Sequence, residues 1–217
     1  MVTLLSPQRP LSPPSQRLLL EGIAWDTYQA LRQDLEGQPG KRLTYDDGLL
    51  EILMPLPPHE SYKRWLGRLV EIVTEEMDVE IRSLGASTWQ RQDLAKGVEA
   101  DECYYIQNEG RIQGKMELDL QVDPPPDLAI EVDITNPSLP RLPIYGVLKV
   151  PEVWRFDGEH ITILWWIEGE YQAMERSQAL PQVTAERIQH FMNEAPNMGE
   201  TSWAKTVRQW IREQFTP

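Results

Sequence analysis

The chain has 217 residues, a length that suits one domain with tails and can bury a sizeable core. It is 41% hydrophobic and 25% charged, an ordinary globular composition, and without an apolar run of about 18 residues it implies no transmembrane helix. The formal net charge of -13 opposes broad electrostatic attachment to nucleic acid, and one cysteine, Cys103, excludes an internal disulfide and fits a cytoplasmic location.

Residues 1–16 are rich in proline and serine and read as a disordered or loosely docked tail, neither signal peptide nor anchor. From Ala24 to Leu35 the pattern suits a short amphipathic helix, ended by Gly37 and Gly40. RLTYDDGLLEILMP predicts a hairpin, with Asp47-Gly48 as its turn because glycine accepts positive φ. A long helix follows over about Glu60 to Met77, where Trp65, Leu66, Leu69, Val70, Ile72 and Val73 recur near helical spacing. VEIRSL, STWQRQ and EADECYYIQ are strand-like, and LAIEV has the apolar character of a central strand. A short helix over about Leu139 to Leu148 precedes strands EVWRFD, HITILWWI and EYQAMER, and two helices close the chain from about Ala185 to Phe215. Trp165 and Trp166 are adjacent in the second of those strands, so one faces inward and one outward, where it could join a dimer patch. The order is that of a mixed α/β domain with helices against a sheet.

Two carboxylates stand inside apolar strands: Asp101 in VEADECYYI and Glu131 in DLAIEVDI. Burial of such a group is costly unless it is paired, protonated or bound to metal. Alternation puts Glu131 and Asp133 on one face of their strand. Carboxylates converging from neighbouring strands suit a hard divalent cation, Mg²⁺ or Mn²⁺, which activates water and stabilises charge on a transferring phosphoryl group. The bland alternative is a solvent-facing or salt-bridged carboxylate. Asp127, after three prolines, reads as a turn residue. Lys63, Arg64, Arg68, Arg82, Arg91 and Lys96 could track a nucleic-acid backbone, with Arg64 a candidate substrate contact. The alternative is a solvated face with local ion pairs.

GVEADECYYIQ, PPPDLAIEVDITNPSL and IYGVLKVPEVWRFDG, in that order and after YDDGLLEILMPLPPHE, resemble the Uma-two family of restriction-endonuclease-like proteins, within the PD-(D/E)XK nuclease superfamily. The resemblance covers roughly residues 40–180. It implies a restriction endonuclease-like αβββαβ core, here with an added N-terminal hairpin and C-terminal helices. It also implies metal-dependent cleavage of DNA, with Asp101 as the motif's first Asp and Glu131 as its (D/E). Asp133 falls where the superfamily lysine stands. Many relatives carry a lysine four residues before a tyrosine on the next helix; this chain has Arg141 before Tyr145. Arginine can stabilise phosphate charge but cannot act as a base. Glu60 is a third candidate metal ligand on the long helix, or a helix cap, and His59 beside it a candidate substrate contact; Glu51 is a second auxiliary carboxylate.

The expected organisation is a tail at 1–16, a nuclease-like domain at 17–180 and a helical extension at 181–217. Duplex cleavage needs two sites, which favours a homodimer. The altered lysine position leaves a second expectation open: a catalytically inactive binding or assembly module of the same fold.

Overall fold

The computed structural model describes residues 16–36, 38, 40–55, 57–134 and 139–215. The expected tail lies outside the described residues, except Gln16, which opens a strand. The chain runs β1 (Gln16–Leu20), α1 (Trp25–Asp34), β2 (Arg42–Asp46), β3 (Leu49–Met54) and α2 (Pro57–Glu76). It continues through β4 (Arg82–Ser83), β5 (Thr88–Arg91), β6 (Lys96–Glu99), β7 (Glu102–Tyr105) and α3 (Glu109–Ile112). Then come β8 (Leu128–Val132), α4 (Arg141–Val147), β9 (Glu152–Phe156), β10 (Ile161–Ile167) and β11 (Glu170–Met174). The helices α5 (Ala185–Glu194) and α6 (Glu200–Phe215) complete the described chain.

The β2–β3 hairpin turns where the sequence predicts it. Asp47 has φ 45° and Gly48 φ 90°, the left-handed pair that matches the twist of two antiparallel strands. The helix α2 begins one turn earlier than expected, at Pro57, because the missing N–H of proline costs nothing in a first helical turn. β1, which the sequence did not suggest, pairs antiparallel with β3 at the sheet edge and leaves Leu18 and Leu19 exposed.

Two sheets result. The first has the order β1-β3-β2-β6-β5 and the second β11-β10-β9-β8-β7-β4. The second sheet is antiparallel except at β8 and β9, which run parallel with α4 as the crossover between them. Read in chain order, α2, β4, β7, β8, α4 and β9 form the expected αβββαβ core, with β5 and β6 diverted into the first sheet.

The strand β8 is buried along its whole length and divides two cores. Leu128, Ile130 and Val132 face the cluster built by α2, α5 and α6, while Ala129 faces the cluster that holds Ile144 and Tyr145 of α4. The C-terminal helices therefore share the main core. Their charged faces also grip α2: Arg208 reaches Glu75 at 2.7 Å and Glu76 at 2.9 Å, and Arg212 reaches Glu76 at 2.7 Å. Glu131, on the Ala129 side of β8, consequently points toward α4.

Candidate active site

Asp101 lies in the link between β6 and β7 and is fully buried. Its backbone N–H donates to the Ile130 carbonyl at 3.2 Å, and its Oδ2 accepts from the Val132 N–H at 2.6 Å. This carboxylate thus joins the start of β7 to the end of β8, one step beyond the paired residues Glu102 and Ile130. His59, in the first turn of α2, places Nε2 3.1 Å from the same oxygen. The other oxygen, Oδ1, is in direct contact with Nη1 of Arg42.

Arg42 was not among the sequence candidates. It is the first residue of β2, only 4% exposed, and it reaches from the first sheet into the site. Its Nη2 donates to Glu60 Oε1 at 3.2 Å, and its Nη1 lies 3.4 Å from His59 Nε2. Burial lowers its pKa against the pull of the Glu131 and Glu60 carboxylates. His59 is held down to about 3 by burial and by the guanidiniums of Arg42 and Arg141, so its imidazole is neutral at pH 7.

Glu131 is buried in β8 and engaged at both oxygens. Oε2 accepts from Arg141 Nη1 at 2.7 Å, and Oε1 accepts from the Tyr145 hydroxyl. Arg141 and Tyr145 stand four residues apart on α4 and so share a face. Burial opposes the Arg141 charge, but Glu131 more than offsets this and raises its pKa. Burial and the Glu131 carboxylate raise the Tyr145 pKa well above the usual phenol value, so the hydroxyl remains a donor. Two donors on Arg141, Nε and Nη2, have no hydrogen-bond acceptor among the described residues.

Asp133, expected to join Asp101 and Glu131, takes a separate partner. Its Oδ2 accepts from Arg155 Nη2 of β9 at 2.7 Å. The three carboxylates therefore form three pairs, Asp101–Arg42, Glu131–Arg141 and Asp133–Arg155. Glu60 is half-exposed and shared between Arg42 and Lys63. Glu51 is fully buried in β3, and its charge is felt by Arg141.

Arg64 is exposed on α2, where its charge reaches Glu102. The rest of the basic strip is dispersed among local partners. Lys63 faces Glu60 and Glu102, Arg68 pairs with Glu200, Arg82 donates to the Ile112 carbonyl, Arg91 pairs with Asp93, and Lys96 pairs with Asp46. Asp127 is a turn residue: its Oδ2 accepts from the N–H groups of Ile106 at 2.7 Å and Asn108 at 2.9 Å.

Beside the paired carboxylates lies a cavity of about 760 Å³, within the range of small-molecule sites. Glu131, Asp133, Arg141, Arg155 and Glu170 are its charged lining, and Trp166 and Tyr171 its aromatic lining. Trp165 packs instead against the α2 side of the sheet, as strand alternation requires. Both tryptophans are half-buried.

A hard divalent cation takes six or more oxygen ligands. Both oxygens of Glu131 and Oδ2 of Asp101 accept from protein donors, and Oδ1 of Asp101 is ion-paired with Arg42 without a hydrogen bond. No three His, Cys, Asp or Glu side chains among the described residues converge as a ligand shell. As arranged, these residues do not fit such an ion.

A family model described as Uma2, "Putative restriction endonuclease", matches residues 25–192. A crystal structure described as a "putative nuclease belonging to DUF820" from Anabaena variabilis is 12% identical, with 69% of this chain and 90% of that chain covered and a TM-score of 0.48. No curated protein matches.

Proposed function

Because the chain belongs to the Uma2 family, described as restriction endonucleases of putative standing, we propose that its site acts on DNA phosphodiester bonds. Arg141 is the observation that carries this reading. A guanidinium that lines the cavity, is 7% exposed and keeps two N–H groups without acceptors is suited to an oxyanion. The phosphate would meet Arg141 beside Glu131, with Asp101 as the second catalytic carboxylate. His59 and Arg64 are the proposed flanking contacts to substrate.

Mg²⁺ or Mn²⁺ is the cofactor this reading calls for, with Asp101, Glu131 and Glu60 as its proposed ligands. Since the closed arrangement does not fit an ion, hydrolysis requires Arg42 and Arg141 to release the two carboxylates. Asp133 is held by Arg155 and takes no part unless that pair also opens. A homodimer would supply the two centres that duplex cleavage needs.

The test is nicking of supercoiled plasmid in Mg²⁺, Mn²⁺ or EDTA by wild type, Asp101→Asn and Glu131→Gln. Wild type should cut only with metal, and each variant should be slower by about two orders of magnitude, the scale of a lost transition-state stabiliser. Equal cutting by all three proteins, or none by wild type with either metal, refutes the reading. The three arginine–carboxylate pairs favour one alternative, a binding or assembly module without hydrolysis. Wild type that binds DNA in EDTA and cuts with neither metal would establish it. No described helix is long and apolar enough to cross a membrane.

A further inference from the structure

The guanidinium of Arg42 touches Asp101 Oδ1, lies 3.2 Å from Glu60 Oε1 and lies 3.4 Å from His59 Nε2. Those three side chains offer two carboxylates and an imidazole, donor types that Mn²⁺ takes, but with Arg42 between them they do not converge as a ligand shell. We infer that Arg42 is the built-in cation of this site, and that its charge decides how readily Asp101, Glu60 and His59 admit a divalent ion. The inference rests on the reading of Asp101 as part of the functional site.

Geometry and charge both support it. Arg42 comes from the first sheet, whereas Asp101 lies at the entry to β7 and His59 and Glu60 lie on α2, so the guanidinium sits where separate elements meet. Arg42 and Asp101 are both buried and paired, and the Glu131 and Glu60 carboxylates also favour the Arg42 charge. A divalent ion at Asp101 would have to displace a cation already in contact with the same oxygen. Arg141 adds to the barrier, since its positive charge acts on both His59 and Arg42. Removing the Arg42 charge leaves Asp101 buried, with His59 neutral beside it and Glu60 at the rim. The Asp101 charge must then be met from solution, by a proton or by a metal cation.

The test is Mn²⁺ titration by calorimetry, with thermal unfolding with and without Mn²⁺, on the full chain. Wild type and Arg42→Lys should bind Mn²⁺ only weakly and gain little in Tm. Arg42→Gln and Arg42→Met should bind Mn²⁺ at least tenfold more tightly than wild type and gain several degrees in Tm, as expected when a ligand binds only the folded state. Where the neutral variants do not fold alone, Mn²⁺ should restore their near-ultraviolet circular dichroism, because metal binding would then be coupled to folding. Wild-type binding as tight as that of the neutral variants, and abolished by Asp101→Asn, overturns the inference. So does a neutral variant that neither binds Mn²⁺ nor is rescued by it.

Plasmid cleavage is read separately. Mn²⁺ binding at Asp101 as tight in wild type as in the neutral variants sinks this inference and leaves the nuclease reading standing. Absent cleavage by wild type, with Mn²⁺ bound more tightly by the neutral variants, does the reverse.

Discussion

Replacing Asp101 with alanine should cost stability as well as activity, and the amount follows from its contacts. The substitution leaves Arg42, which is 4% exposed, with the half-exposed Glu60 and the more distant charge of Glu131, and breaking a buried pair in this way costs about 3–5 kcal/mol. It also removes the acceptor of the Val132 N–H, a further ~1–3 kcal/mol if no other acceptor moves in. Because the terms overlap, we expect a total of about 4–6 kcal/mol, a large share of the ~5–15 kcal/mol that holds a typical domain. For a chain of this size that corresponds to a fall in Tm on the order of 10–20 °C. Arg42→Met alone should cost a similar amount by stranding Asp101. The double variant Arg42→Met/Asp101→Leu removes both charges and should recover all but the cost of the unpaired Val132 N–H. Urea unfolding of wild type, Arg42→Met, Asp101→Leu and the double variant measures the coupling directly. Single losses of about 4–6 kcal/mol each against a double loss of about 1–3 kcal/mol imply a coupling of roughly 5 kcal/mol or more. If the double variant loses the sum of the single losses within ~0.5 kcal/mol, Arg42 and Asp101 are not partners and the reasoning fails. For activity assays, Asp101→Asn is the safer probe, since it keeps an acceptor for Val132.

A folded-state pKa of about 3 for His59 lies below its ordinary 6.5, so unfolding takes up a proton as the pH falls. Stability should be complete above pH 6.5 and decline toward the folded value, by about 2 kcal/mol between pH 6.5 and 5. His59→Gln should flatten that slope in a Tm profile, and an unchanged slope would place the imidazole in water. Gly146→Ala puts a Cβ 2.2 Å from a ring carbon of Trp166, so the variant should lose about 1–3 kcal/mol despite the better helix propensity of alanine. Urea unfolding checks the loss, tryptophan fluorescence should report a displaced ring, and a stabilised variant would contradict the packing of α4 on β10.

Much of the fold is legible in the sequence because its signals are local. LAIEV between proline-rich flanks is β8, and the Asp47-Gly48 pair sets the β2–β3 turn. By contrast, β1 carries a weak pattern and is stabilised by pairing with β3, a contact no local rule reveals. The site divides in the same way. Asp101 and Glu131 are conspicuous as carboxylates in apolar stretches, although Asp101 lies in the link between β6 and β7 and not inside one strand as the sequence suggests. Arg42 is hidden because β2 is buried on both faces over its first four residues, which removes the alternation that would mark an inward charge. Tyr145 could have been selected, since it lies one helical turn beyond Arg141. The basic strip fails for another reason. Its spacing along α2 is real, but Glu102 and Glu200, which neutralise Lys63 and Arg68, arrive from elsewhere in the chain.

The helix α2 carries His59 and Glu60 at one end and Glu76, held by Arg208 and Arg212 of α6, at the other. At a rise of about 1.5 Å per residue, the two ends are roughly 25 Å apart. The helix is therefore a lever with its fulcrum in the C-terminal clamp. A tilt of about 4° at Glu76 would swing His59 by roughly 2 Å, enough to part it from Asp101. The C-terminal ion pairs touch none of the paired carboxylates, yet they hold the far end of the helix that carries His59.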